Sequence, residues 1–130
     1  TRVKSVTGAS FYVGMQEEEA NARVHATETI AYIAWQPSSG TVEGLDFQVG
    51  NTANIVTDKF YTLAYPKATA ALPMFLADMQ TTNGGDTANL RWQNKSQSSV
   101  QVKVAEEQSK GSETSHTKEV VGYILLTPKQ

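Results

Sequence analysis

The chain has no cysteine. That excludes disulfides, thiol nucleophiles and thiolate metal sites. It has no excess of positive charge either: 11 Lys and Arg stand against 13 Asp and Glu, for a net charge of -2. A surface of that balance does not track phosphates, so nucleic acid is not an expected partner. No apolar run approaches the roughly 20 residues of a membrane-spanning helix, and no signal-peptide pattern is present. Thr1 is not a natural start, so the chain reads as a fragment or a processed product. Motifs of the common catalytic folds are missing too, among them a nucleophile elbow, a phosphate loop and a zinc-protease helix.

What remains is dominated by alternation. Phe11, Val13 and Met15 point one way along Phe11–Gln16, and Val100, Val102 and Val104 do the same along Val100–Val104. Period-2 patterning of this kind marks half-buried strands. Further strands are expected at Thr29–Trp35, Val42–Val49, Phe60–Ala64, Pro73–Gln80, Ala88–Gln93 and Glu119–Leu126. Turn-rich stretches separate them at Pro37–Gly40, Asn83–Asp86 and Ser109–Ser115. Asn83-Gly84-Gly85-Asp86 reads as a hairpin connection. Glu17–Val24 has too few apolar residues to bury a helical stripe and reads as a strand end plus loop.

Self-similarity is the clearest feature. Arg2, Val13, Glu17-Glu18, His25, Glu28, Tyr32-Ile33 and Pro37 recur in order as Arg91, Val102, Glu106-Glu107, His116, Glu119, Tyr123-Ile124 and Pro128. The offset is 89 up to the Glu pair and 91 from the His onward, a two-residue insertion in the loop between. An internal duplication follows. Residues 1–37 are expected to be the C-terminal half of one repeat, or the first strands of a single larger sandwich. Residues 38–130 are expected to be a complete β-sandwich unit.

The order of elements in the complete unit resembles the H-type lectin domain. It runs from a Gly-flanked strand (Gly44 to Gly50) through Phe60–Tyr65, Pro73–Ala77, Asn89-Leu90-Arg91 and Val100–Val104 to Gly122-Tyr123-Ile124. The resemblance implies an all-β antiparallel sandwich that binds a galactose-type sugar in grooves of a homotrimer. It assigns ligand-binding positions to Arg91, to Glu107 and Gln108 where the family often has an aromatic and a histidine, to His116, and to Asn54. The tandem signature also looks like repeats of secreted bacterial proteins associated with carbohydrate.

Two carboxylates and a His recur as Glu106 or Glu107, Glu119 and His116, and again as Glu17 or Glu18, Glu28 and His25. If strands 100–107 and 119–126 paired as a hairpin, Glu106 or Glu107 would lie across from Glu119. Only one Glu of each pair can share a face with the others. Three roles stand open: hydrogen bonding to sugar hydroxyls, a divalent-metal site, or solvation of a hairpin end. A glycosidase is not expected, because two carboxylates need a deep cleft between them. Tyr32 and Tyr123 are expected in the core. Trp92 alternates with Arg91, so a buried Trp92 would leave Arg91 exposed to ligand, and Trp92 itself is a candidate for stacking. Asn94-Lys95-Ser96 fits an N-glycosylation pattern.

The reading is therefore a non-catalytic carbohydrate-binding module, secreted, with a glycan as partner and no cofactor, metal, nucleic acid or membrane. The alternative is a structural or adhesive tandem repeat that contacts protein or a copy of itself.

Overall fold

The computed structural model describes residues 1–21 and 25–129. The fold is all-β, with nine strands among the described residues, joined by antiparallel pairing. They are β1 (Arg2–Lys4), β2 (Tyr12–Gly14), β3 (Ser38–Val42), β4 (Leu45–Asn51), β5 (Tyr61–Ala64), β6 (Met74–Met79), β7 (Ala88–Gln93), β8 (Ser99–Glu106) and β9 (Val121–Pro128). A four-stranded sheet in the order β3-β4-β9-β6 and a three-stranded sheet in the order β5-β8-β7 form the sandwich. β1 and β2 form a separate two-stranded ribbon.

Alternation builds the core where the sequence places it. On β8, Val100, Val102 and Val104 are buried while Gln101, Lys103 and Ala105 are half-buried on the other face. On β9, Val121, Tyr123 and Leu125 are buried in turn. Each of these strands is the central one of its sheet or lies between two neighbours, so its backbone is paired on both edges. Val56, Leu63, Tyr65, Met79 and Ala88 complete the cluster. Each large side chain removed from water there contributes about 1.5–3 kcal/mol.

Several expectations are corrected. Val42–Val49 is not one strand. Glu43 and Gly44, at φ of 47° and 79°, make a two-residue turn between β3 and β4, with Val42 opposite Leu45. Two successive positive φ values suit the right-handed twist of a hairpin, and glycine adopts one without steric cost. Asn83–Asp86 is not a hairpin turn, because β6 and β7 lie in different sheets and the segment crosses between them. β8 and β9 likewise do not pair. Thr29–Trp35 forms no strand, and Tyr32 is 70% exposed rather than in the core. Its counterpart β9 is hydrogen-bonded between β4 and β6, and residues 29–35 have no such neighbours among the described residues. Glu19–Asn21 is a single 3-10 turn, and the rest of the Glu17–Val24 segment, 22–24, lies outside the described residues.

The two hairpins of the repeated sequence share their geometry. Arg2 pairs with Gly14 and Val3 with Val13, while Arg91 pairs with Lys103 and Trp92 with Val102. All four positions are displaced by 89 residues. Ser5 and Asn94, also 89 apart, both turn the chain with positive φ, 53° and 49°.

Candidate functional site

Four chain segments meet at one end of the sandwich. Arg2 comes from β1, and Glu106 closes β8. His116 lies in the β8–β9 crossing, and Glu119 precedes β9. The backbone of Glu119 is fixed by a bridge to Val56: Glu119 N donates to Val56 O at 2.8 Å, and Val56 N returns to Glu119 O at 3.1 Å.

The Glu119 carboxylate is the hub. Its Oε1 accepts from Arg2 Nη2 at 3.0 Å, from the backbone N–H groups of Asn83 at 2.9 Å and Gly84 at 3.1 Å, and lies 3.1 Å from His116 Nε2. Its Oε2 accepts from the Thr81 hydroxyl, which in turn accepts from Val120 N at 2.9 Å. The other face of the imidazole is taken: His116 Nδ1 lies 2.7 Å from Glu106 Oε1. Each ring nitrogen of His116 thus faces a carboxylate oxygen. Arg2 Nη1 donates to Asp86 O at 3.1 Å. Burial pushes the Glu119 carboxyl upward, but the donors from Thr81, Gly84, His116 and Asn83 outweigh it and hold the group below the usual carboxylate range.

The side chains of His116 and Glu119 are fully buried. Donors converge on Glu119 Oε1, Oε2 takes the Thr81 hydroxyl, and Arg2 Nε is buried without a hydrogen-bond partner. Gly84 packs so closely that a Cβ there would sit 2.5 Å from His116 Cε1. Among the described residues, no three His, Asp or Glu side chains are grouped to hold a metal ion. Beside the cluster lies a shallow cleft of about 110 Å³, lined by Glu19, Asp86, Glu106, Glu107, Lys110, Gly111 and Glu113. Sites for small molecules are several times larger.

The residues assigned from sequence do not gather in one place. His116 sits inside the cluster. Asn54 stands at its rim, accepting from Asn83 Nδ2 at 3.1 Å. Glu107 points elsewhere: its carboxylate takes Ser109 N and Oγ, both at 2.6 Å, and Glu19 N at 3.0 Å. The Ser109 hydroxyl and the Glu19 N–H lower its pKa. Gln108 is exposed. Arg91 is exposed on β7, three residues along from Ala88, which pairs with Glu106. Trp92 turns toward the sandwich interior at its open end and stays 52% exposed, edge-on to Phe75 at 6.2 Å, with Lys95 Nζ 5.3 Å from its ring centre. Arg91 and Trp92 are thus both accessible, where an alternation of buried and exposed was expected.

Of each Glu pair, the first member joins the His. Glu106 meets His116, and Glu17 lies 3.4 Å from His25 Nε2. The second pair is half-exposed, and Glu28 is exposed. Sequence reasoning missed Arg2, Thr81, Asn83 and Gly84. Arg2 was visible as the counterpart of Arg91, but nothing local says that it reaches a residue 117 positions away.

No family model matches the chain, and no solved structure matches it. Over 112 residues, or 84% of its length, the chain is 30% identical to halomucin from Haloquadratum walsbyi (strain DSM 16790 / HBSQ001). The chain spans about 1% of that protein's length.

Proposed function

We propose that the chain is a non-catalytic structural or adhesive repeat unit of a very long extracellular protein. The observation that carries this is Arg2. It leaves the 1–21 segment and is 4% exposed in the body of the 38–129 sandwich, ion-paired to Glu119. The repeated Glu-His-Glu set thereby serves to join one stretch of the chain to the next. The mucin-type name of the relative and its length support an extended surface or secreted protein. The cysteine-free surface, rich in Thr, Ser, Asn and Gln, fits such a setting. No helix in the described residues is long and apolar enough to cross a membrane.

The test is Arg2→Ala. It is expected to lower the melting temperature of the chain and to expose residues 1–21 to protease, with no activity on polysaccharides before or after. An unchanged melting temperature would remove the basis of this reading.

A second reading, carbohydrate binding, has one observation in its favour. Arg91 and Trp92 are both accessible on an edge strand, on its opposite faces, and each offers a group, a guanidinium or an aromatic ring, that suits a shallow sugar site. A glycan as partner, and avidity from repeated units or a trimer, belong to this reading. Binding to a polysaccharide panel that Arg91→Ala and Trp92→Ala each abolish, with the fold intact, would establish it in place of the first.

A further inference from the structure

β7 presents Arg91 in the backbone setting in which β1 presents Arg2. Both arginines lie on the first strand of a hairpin of the same register, Arg2 at its start and Arg91 within it, and a positive-φ residue follows each at the same spacing. Their side chains differ in one respect. Arg2 is buried among residues of the following unit, and Arg91 is exposed. The pocket that receives Arg2 is built from Thr81, Asn83, Gly84, Asp86, His116 and Glu119, all within residues 38–130. Every copy of this unit therefore contains a whole pocket and also, on β7, a whole arginine hairpin.

We infer that Arg91 is the outgoing latch of the unit, and that its partner is the Glu119-type pocket of a further copy of the same unit. This rests on the repeat-unit reading above. Charge selects the occupant. Glu119 is a fully buried carboxylate, so a guanidinium suits it, and the planar fork of that group spans Glu119 and the Asp86 carbonyl together. The neighbouring contact repeats with it. Thr82 Oγ donates to the backbone carbonyl of Val3 at 3.2 Å, which places the carbonyl of Trp92, the counterpart of Val3, against Thr82 of the next unit.

The test uses a chain in which residues 40–130 follow Gln130 a second time, which preserves the 91-residue spacing of the second half of the repeat. Arg91→Ala is expected to lower the melting temperature of this extended chain by the several degrees that Arg2→Ala costs the 130-residue chain. In the 130-residue chain itself Arg91→Ala is expected to leave it within about 1 °C. A second measurement reads position alone. The chain has no cysteine of its own. Trp92→Cys with Thr82→Cys in the added unit is expected to form a disulfide in the extended chain, as Val3→Cys with Thr82→Cys is expected to in the 130-residue chain. An added unit that stays unfolded, or whose melting ignores Arg91, overturns the inference. So does failure of the Trp92–Thr82 bridge where the Val3–Thr82 bridge forms. An inert Arg2→Ala in the 130-residue chain overturns instead the repeat-unit reading beneath it. Polysaccharide binding removed by Arg91→Ala assigns the arginine to sugar and overturns its role as a latch.

Discussion

Arg2 Nη2 lies 3.0 Å from Glu119 Oε1 across 117 positions of sequence, and both side chains are withdrawn from water. The pair is the hydrogen bond of greatest sequence separation among the described residues and ties the ribbon β1–β2 to the sandwich. Removing one partner of a buried ion pair leaves the other charge desolvated, which is where most of the cost arises. Glu119 keeps four other donors when Arg2 is removed, so the loss is moderated. Arg2→Ala is expected to destabilise the chain by about 1–3 kcal/mol in urea unfolding.

Gly84 is held to its size by His116. A methyl group there would meet the imidazole at 2.5 Å, and both ring nitrogens are already committed. Gly84→Ala is expected to cost about 1–3 kcal/mol through displacement of the ring. Gly85→Ala is the control, since a Cβ at that position meets nothing within 4 Å, and it should be close to neutral. Thermal melts of the two variants check this side by side.

Acid should loosen the cluster. The Glu119 carboxyl is held below its ordinary value of 4.5 in the folded chain, so the folded state binds its proton less readily than the unfolded state does. The stability this contributes is complete above about pH 4.5 and is lost as pH falls through the lowered folded value. Asp78, raised by burial, has the opposite sign and gains as pH falls. The stability gap between the parent chain and Glu119→Gln should therefore narrow between pH 6 and pH 3. A gap that stays constant over that range, followed by denaturant unfolding, would contradict the assignment.

Two tyrosines at matching repeat positions should respond in opposite ways. Tyr123 is 7% exposed on β9, and Tyr32, 91 positions earlier, is 70% exposed. Tyr123→Ala is expected to cost about 3–5 kcal/mol, as for other large aromatic truncations in a core. Tyr32→Ala should fall within about 0.5 kcal/mol of the parent. Equal effects would mean that residues 29–35 are packed as β9 is.

The strands most legible in the sequence are those with strict alternation and two neighbours. The valines of β8 announce a buried face, and Ala88–Gln93 matches β7 residue for residue. The repeated Glu, His and Glu positions were also legible, including that one Glu of each pair must face away. Their role was less so, because the expected hairpin does not exist. Glu106 reaches His116 from the end of β8 and Glu119 from the segment leading into β9, in the other sheet, and no spacing rule distinguishes a hairpin from a crossing between sheets. Arg91 drew attention because the resemblance to the H-type lectin domain assigns it to ligand, whereas its counterpart Arg2, on a three-residue strand with no marked pattern, holds the cluster together.

The sequence by itself determined which faces are apolar, where the chain can turn, and that one set of residues occurs twice. Only the tertiary structure decided what each copy became. Tyr123-Ile124 lies in a central strand because β4 and β6 meet its backbone on both edges, and Tyr32-Ile33 forms no strand where those partners are missing. A backbone hydrogen bond needs a donor and an acceptor brought together, so a β pattern is half of a strand until a neighbour supplies the rest. The same holds for charge. Arg2 and Arg91 share type, spacing and hairpin register, and one of them is buried because a completed pocket stands opposite it.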